Sequence, residues 1–322
     1  MSLCVVAIHT HPLDGFSHCV GYPIFSRIID CVVRCAVPFF FLSSGFLLGR
    51  KSLQQPEFTL SAIIARHLIK NIRQYLMWSS IYFPLASYHL WQTGCTPVQG
   101  VLRYIRGLIF IGENYNSWML WYLLSSIYAS LFILILLKVN CKPAFIALCG
   151  SFIYFFGLCV TWLANYWGQL PYFLQIAKVG ISLTVTNGRI FTGFLCIPLG
   201  LMLSKKTPSA VLATGLLLFG FCGSYCIDGI CRDLMFIISS IGFFSLVTKI
   251  KLKNSSIYPI MRQISTTVYF VHMYIWTGYY SLVYGRPTYG LDSFVFTVII
   301  SLCLSLLAVR FSSKQLTQNK AQ

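Results

Sequence analysis

Long apolar runs separated by short polar or basic connections make up most of the 322 residues of this chain. A helix that crosses a bilayer needs about 20 mostly apolar residues. The runs are continuous rather than alternating, which favours helices over a β-barrel. The pattern predicts ten membrane helices, and their predicted bounds are 1–13, 24–48, 74–91, 117–137, 143–162, 188–204, 208–225, 231–248, 264–284 and 291–309.

Three connections between these helices are predicted to be more than short polar loops. The stretch before residue 74 is predicted to be a basic, amphipathic link, and 99–111 a short amphipathic surface helix. Residues 163–187 are rich in Trp, Tyr, Asn, Gly and Pro and predict an interfacial or re-entrant loop. No hydrophilic tract is long enough for a soluble domain, so we predict a single membrane domain over 1–322.

Composition and charge agree with a membrane protein. The chain is 57% hydrophobic and 10% charged, whereas soluble domains have about 25% charged residues. Its net charge of +17 would suggest nucleic-acid binding on a soluble face. Here the basic residues lie between apolar runs, sixteen in predicted inner connections and five in outer ones. This bias predicts an all-α polytopic membrane protein with both termini cytoplasmic.

The cysteines and the N-terminus show no pattern that predicts a metal site or a cleavable signal peptide. Thirteen cysteines are scattered mostly within apolar runs, without a CxxC pair or a Cys/His cluster of zinc spacing. We therefore predict buried apolar cysteines and no metal site. The start lacks a basic region and His9 interrupts its apolar run, so no cleavable signal peptide is predicted.

Two ionisable residues lie inside the first two apolar segments. His9 has the side chain best suited to act as general base at neutral pH, and a structural histidine is the equal alternative. Arg34 lies four residues before Pro38, which removes a backbone donor and predicts a kink. A charged Arg within a spanning helix costs about 2.5–3.5 kcal/mol. Arg34 therefore needs Asp30, one turn earlier, or a bound substrate or cofactor group as its partner.

Three basic residues share one helix face near the predicted cytoplasmic side. Arg66, Lys70 and Arg73 follow i, i+4, i+7 spacing. They predict either an anchor beside anionic lipid or a phosphate-binding patch for a nucleotide-like donor. Further upstream, Ser43-Ser44-Gly45 predicts close packing between helices.

Other charged positions are predicted from their place along the chain. Arg189 opens the sixth helix at the outer interface, where its side chain can snorkel toward water. His272 lies inside the ninth helix, which makes it a functional candidate. Glu113 is predicted to be a solvated acid in an outer loop. Among the seven acids only Asp30 is placed within the membrane, which argues against a proton-driven transporter.

An ordered set of motifs along the chain resembles the acyltransferase 3 family of integral-membrane O-acyltransferases. The resemblance is strongest to the branch that acetylates bacterial surface polysaccharides and their lipid-linked precursors, and ten helices fit the family's core. The motifs are Val5-Val6-Ala7-Ile8-His9-Thr10, Arg34 through Pro38 to Gly45, Leu120-Trp121-Tyr122-Leu123, Asn187-Gly188-Arg189-Ile190-Phe191, and Ser265 through Tyr269 to His272.

The resemblance implies an acyl-CoA donor, usually acetyl-CoA, which enters from the cytoplasm as co-substrate while no cofactor is bound. It implies a glycan acceptor and a multi-pass location in the bacterial inner membrane. His9 is then the critical histidine and Arg34 lies near the reacting centre. Arg66, Lys70 and Arg73 are expected to bind the donor, and the residues expected to contact substrate are Arg189, His272 and Trp121.

The chain departs from the family pattern at three places. Lys70-Asn71-Ile72-Arg73 stands where members often have Arg-x-x-Arg, and Met119 stands where many have His. Members usually begin with an Arg-containing turn, whereas Met1 here falls inside the first helix. This difference leads us to expect a truncated chain or a misassigned start.

Three functions are compatible with the sequence. The first is O-acyl transfer from acetyl-CoA to a sugar hydroxyl. The alternative is a carrier or flippase for lipid-linked sugars, in which Arg34 and Arg189 bind phosphate. A third is a non-catalytic sensor or scaffold, which would tolerate the loss of His9.

Overall fold

The computed structural model describes residues 1–18, 21–166, 168–169, 171–184, 188–251 and 253–318. The protein is 81% helical, and the described part contains no strand, which confirms the all-α prediction. Its α-helices are α1 Ser2–Thr10, α2 Tyr22–Arg34, α3 Ala36–Gln54, α4 Leu60–Gln92, α5 Pro97–Arg106, α6 Trp121–Lys138, α7 Pro143–Asn165, α8 Tyr172–Thr184, α9 Thr192–Leu203, α10 Ala210–Cys226, α11 Ile230–Val247, α12 Ile257–Val283 and α13 Leu291–Gln318.

Within the described residues, five helical stretches are long and apolar enough to cross a membrane. Two shorter apolar helical stretches, Arg189–Leu203 and Ala210–Cys226, accompany them. The chain is therefore a helical membrane protein, as predicted. The five long stretches are Tyr22–Gln54, Trp118–Lys138, Pro143–Asn165, Ile230–Val247 and Leu291–Arg310.

Helix packing divides the chain into two compact units. The first comprises Met1–Ala36 and Ile250–Gln322, and the second is Val37–Lys249. In the first unit α1 packs against α2, α12 and α13, and α12 packs against α13. In the second unit α6 packs against α4 and α9, α9 packs against α7, and α10 packs against α11. The prediction of one domain over 1–322 stays a prediction.

The predicted helix over 24–48 is interrupted where a kink was expected. α2 ends at Arg34 and α3 begins at Ala36, two residues before Pro38. Because the proline lacks an N–H, it leaves the carbonyl of Arg34 without its helical donor. The break therefore confirms the prediction made from Pro38.

The predicted boundary at residue 74 is wrong. α4 begins at Leu60, where Thr59 caps the helix: its Oγ1 atom accepts a hydrogen bond from the Ala62 amide at 3.3 Å. Ile63 and Ile64 are buried, whereas the basic residues lie on the exposed side. The charges thus belong to one face of a long helix rather than to a link before it.

The loop predicted over 163–187 contains a helix. Tyr172–Thr184 forms α8 directly after Pro171, a residue suited to helix starts. The loop prediction is therefore wrong for this part, because its aromatic and glycine content hid a helical segment. Asn187, which belongs to one of the sequence motifs, lies outside the described residues.

The core of the second unit brings α3 and α9 into close contact. Gly45 on α3 and Gly200 on α9 have Cα atoms so close that a Cβ built on either would meet the other helix's backbone. This contact confirms the packing role predicted for Ser43-Ser44-Gly45. Around it lie buried apolar side chains, among them Phe41, Leu42, Ile133, Cys196 and Ile197.

Candidate functional site

His9 occupies the last turn of α1. The helix ends because His11 adopts a left-handed conformation with φ of 43°, and its amide donates to the Ala7 carbonyl at 3.0 Å. The His9 side chain is half-buried.

The His9 ring stacks on the ring of His272 in α12. The two ring centroids are 5.4 Å apart and the planes differ by 27°. His272 is fully buried, and its Nδ1 lies 3.2 Å from the Val268 carbonyl oxygen. A carbonyl only accepts hydrogen bonds, so this contact assigns the proton of the neutral ring to Nδ1.

A second contact between α1 and α12 shows that the two helices run in parallel. Ser265 Oγ donates to Ser2 Oγ at 3.1 Å, two helical turns before the histidine pair on each helix. Equal steps along both helices require the same direction. The prediction of alternating spans gives the first and ninth helices a common direction, which agrees with this packing.

The end of α1 is also fixed by the connection between α12 and α13. The Gly290 amide donates to the Thr10 carbonyl at 3.0 Å. His11 makes an edge-on contact with Tyr289, whose ring in turn lies 5.5 Å from that of Trp276. These contacts hold the turn that carries His9 against the loop that follows α12.

Arg34 forms an ion pair with Asp30 within α2. Its Nε donates to Asp30 Oδ1 at 2.6 Å, and the two side chains are 43% and 29% exposed. The structural partner that the sequence suggested is thus present. Because Arg34 remains partly exposed, its predicted role near the reacting centre stays a prediction.

The three basic residues of α4 lie on its exposed side. Arg66, Lys70 and Arg73 are all exposed, and the Arg66 guanidinium lies 3.9 Å from the centre of the Phe58 ring. The cation–π contact stabilises one member of the patch. The arrangement matches either of its two predicted uses.

The buried side of the same helix carries a polar cluster that sequence reasoning missed. Asn71 Nδ2 lies 2.9 Å from His67 Nε2 and donates to Ser126 Oγ at 2.8 Å. Asn71 and Ser126 are buried. The sequence feature that could have indicated this cluster is the four-residue spacing of His67 and Asn71, which places both on one helical face.

Glu113 is largely buried, so its predicted exposure to solvent is wrong. Its side chain is 18% exposed and lies 3.9 Å from Arg189, whose side chain is 46% exposed. Burial raises the pKa of Glu113, and the nearby Arg189 charge partly opposes this shift. Local sequence patterns do not indicate this pair, because the two residues belong to distant segments.

The side chain of Glu113 lines a narrow pocket. A five-residue π-helix, Gly107–Ile111, forms part of its surroundings. Tyr75 donates to the Leu108 carbonyl at 2.6 Å and Tyr104 donates to the Ser79 carbonyl at 3.2 Å. Ser117 Oγ also donates to the Asn114 carbonyl at 3.1 Å, so three of the five lining hydroxyl groups bond to backbone carbonyls. The pocket is lined by Tyr75, Ser79, Tyr82, Tyr104, Gly112, Glu113, Asn114, Ser117 and Leu120.

Trp121 lies in the hydrophobic core of the second unit. It is 9% exposed, and its ring centroid lies 5.9 Å from that of Phe41. The adjacent Tyr122 forms a hydrogen bond with Ser44 at 2.9 Å. The observed contacts are packing contacts, and the predicted role of Trp121 in substrate binding stays a prediction.

These features define a helical membrane protein with a stacked histidine pair in one unit and an exposed basic helix face in the other. Residues 2–310 match the family model described as Acyltransferase domain. The chain therefore belongs to the acyltransferase 3 family, which confirms the resemblance seen in the motifs.

Two amino-acid racemases of Enterococcus faecalis are similar to part of the chain. One is 36% identical over 159 residues, which are 49% of this chain and 20% of that relative. The other is 34% identical over 136 residues, which are 42% of this chain and 18% of that relative. The matched region thus spans about a fifth of the length of these curated relatives. No solved structure matches the chain.

Proposed function

We propose that the protein is an O-acyltransferase that moves an acetyl group from acetyl-CoA to a sugar hydroxyl. The acceptor in this proposal is a surface polysaccharide or its lipid-linked precursor, and the location is the bacterial inner membrane. The observation that carries the proposal is the family match over residues 2–310, together with the half-buried His9 at its stacking contact with His272.

His9 is the proposed general base. It takes the proton of the acceptor hydroxyl, and the oxygen attacks the carbonyl carbon of the thioester. The carbon–sulfur bond breaks, the ester forms, and the CoA thiolate takes up the proton. General-base help of this kind contributes about 10²–10⁴-fold. This is direct transfer; in the alternative route His9 is instead the nucleophile and forms an acyl-His9 intermediate.

His272 supports this role through its burial. It is fully buried and therefore favours the neutral state, because charge is costly away from water. A neutral ring stacked on His9 avoids like-charge repulsion when His9 becomes an imidazolium. We propose that His272 supports the base in this way and lies on the acceptor side of it.

Arg34 is the proposed electrostatic partner of the reaction. A guanidinium stabilises a developing oxyanion or holds a phosphate of the donor through charge-assisted hydrogen bonds. Its side chain is 43% exposed and contacts Asp30 through Nε. An anion can therefore bind its remaining nitrogen atoms while the ion pair persists.

The exposed basic face of α4 is the proposed donor-binding surface. Arg66, Lys70 and Arg73 present three cations on one side of the helix, which suits the phosphates of CoA. The partly exposed Arg189 is a proposed contact of the acceptor. Trp121 is proposed to support the acceptor site indirectly, because its ring is packed in the core.

The direct test uses the purified full-length protein in nanodiscs with [¹⁴C]acetyl-CoA and a sugar acceptor. Acyl transfer predicts release of CoA and a labelled ester on the sugar. A carrier or flippase predicts movement of a lipid-linked sugar without CoA dependence, and a sensor predicts neither reaction. Mass spectrometry of surface glycans from the host with and without the gene then identifies the acceptor. The absence of both CoA release and labelled sugar would refute the proposal.

A further inference from the structure

A row of small hydroxyl side chains runs along the buried side of α13. Ser293, Thr297, Ser301 and Ser305 occur at every fourth position, and each is fully buried. The row faces α12, because Ser305 Oγ donates to the Ile264 carbonyl at 3.4 Å. Small residues in such a row allow close packing of helices, which accounts for their size but not for their hydroxyl groups.

The hydroxyl groups at the two ends of the row are committed to the backbone. Ser305 Oγ donates to the Ser301 carbonyl at 2.6 Å, and Ser293 Oγ donates to the Thr288 carbonyl at 3.1 Å. The middle two differ: Thr297 Oγ1 and Ser301 Oγ have no hydrogen-bond partner in the part of the chain that the structure describes. Buried hydroxyl groups in helices normally bond to a preceding carbonyl, so this freedom is unusual.

His272 has an equivalent uncommitted atom. Its Nδ1 donates to the Val268 carbonyl, which leaves Nε2 as the acceptor nitrogen of the neutral ring. Across the described ranges, this buried Nε2 has no hydrogen-bond partner. A buried acceptor without a donor is costly, and such a group needs an explanation.

The three residues that carry these atoms lie within about one helical turn of one another along an antiparallel helix pair. Ser305 contacts Ile264, and Tyr279 donates to Asp292 at 3.1 Å, so α12 and α13 run in opposite directions. Interpolation between these two contacts places His272 opposite Thr297 and Val268 opposite Ser301. The His272 ring leans toward Val268, because its Nδ1 bonds to the Val268 carbonyl.

We propose that His272, Thr297 and Ser301 form a buried binding site for one hydroxyl group. The ligand donates to His272 Nε2 and exchanges hydrogen bonds with the two side-chain hydroxyls. Its source is either a water molecule or, if the proposed acyl transfer is correct, the alcohol group of the acceptor. Because the His272 ring stacks on His9, this site adjoins the proposed base.

The first experiment tests the site without depending on activity. Full-length protein labelled with [¹⁵N]histidine is studied in bilayers by solid-state NMR, with the His272 signal assigned by its loss in His272→Gln. We expect the Nε2 resonance of a hydrogen-bonded acceptor, and a shift of this resonance in Thr297→Val and Ser301→Ala. Thr297→Ser, which keeps the hydroxyl group, should retain the wild-type signal.

Ser305→Ala is the matched control, because Ser305 lies in the same buried row but bonds to the backbone. It should leave the His272 resonance unchanged. The proposal is overturned if the wild-type Nε2 shows no hydrogen bond, or if all three α13 variants have the same effect as one another. If Thr297→Val does not fold, Thr297→Ala takes its place, because it also lacks the hydroxyl group, and the wild-type Nε2 resonance remains a test by itself.

The second experiment separates the two sources of the hydroxyl group. Methyl β-D-glucoside serves as the alcohol probe in the acetyl-CoA assay. An acceptor alcohol at the site predicts that Thr297→Val raises the KM for the probe about tenfold, the effect of one lost hydrogen bond. A bound water molecule predicts magnetisation transfer from water protons to the His272 resonance in the absence of the probe. It also predicts that Thr297→Val leaves the KM for the probe unchanged. A wild-type protein without CoA release would refute the proposed function, and the NMR result would still decide the site.

Discussion

Gly45→Ala tests the close approach of α3 and α9. A Cβ atom at Gly45 would lie closer than 3.0 Å to the Ile197 carbonyl oxygen and 3.1 Å from the Gly200 Cα atom. The obstacle is backbone rather than a flexible side chain, so a rotamer change cannot relieve it. The two helices must move apart, which disturbs the packing of the buried core around them.

The expected cost follows from overpacking. Inserting a methyl group into a well-packed core costs about 1–3 kcal/mol, and alanine's better helix propensity returns about 1 kcal/mol. We therefore expect Gly45→Ala to lower the free energy of unfolding by up to about 2 kcal/mol. Gly200→Ala should have a similar effect, because its Cβ would meet the Leu42 carbonyl and the Phe46 amide.

The assay is thermal unfolding of purified protein in one detergent, with Gly215→Ala as the matched control. Gly215 also lies within a helix of the second unit, but a Cβ there would meet nothing within 4 Å. The control should be as stable as the wild type or up to about 1 kcal/mol more stable. Equal melting temperatures for Gly45→Ala and Gly215→Ala would refute the packing argument.

Three further results are expected. Because burial raises the pKa of Glu113, its stabilising contribution is present below about pH 4.3 and is lost as the pH rises through its folded-state pKa. Glu113→Gln should therefore melt at the same temperature as the wild type at pH 4 and at a higher temperature at pH 7, and equal melting temperatures at both pH values would contradict this. Asn71→Ala removes two side-chain hydrogen bonds and should lower the free energy of unfolding by about 1–3 kcal/mol, measured by thermal unfolding. A loss under about 0.5 kcal/mol, as expected at an exposed site, would contradict the buried cluster. Lys70→Ala and Arg73→Ala should raise the KM for acetyl-CoA without changing kcat, most strongly at low salt, and an unchanged KM would leave these residues as lipid anchors.

The helical membrane class was predictable, because a continuous apolar run long enough to span a bilayer can satisfy its backbone hydrogen bonds there only as a helix. The kink after Arg34 was predictable because Pro38 has a local effect on the backbone. The start of α4 was not found, since Thr59 is one short polar residue among several in that region. Helix boundaries of this kind depend on caps and on which face is buried.

The candidate site was predictable as a set of residues but not as a set of contacts. His9 and His272 each stood out as ionisable groups in apolar segments, yet their stacking depends on the packing of α1 against α12. Glu113 was misjudged for the same reason, because its burial and its contact with Arg189 come from distant parts of the chain. Local sequence patterns carry no information about such long-range pairs.

If His9 is the base of an acyl transfer, its removal must abolish acetyl-CoA turnover in a protein that still folds. Acetyl-CoA turnover is compared between wild-type protein, His9→Ala and His11→Asn, each shown to be folded by its melting temperature. His11→Asn is the matched control, because asparagine tolerates the left-handed conformation of that position. We expect His9→Ala to lose at least about 100-fold in turnover, while His11→Asn keeps it. Wild-type turnover in folded His9→Ala would show that His9 is not the base.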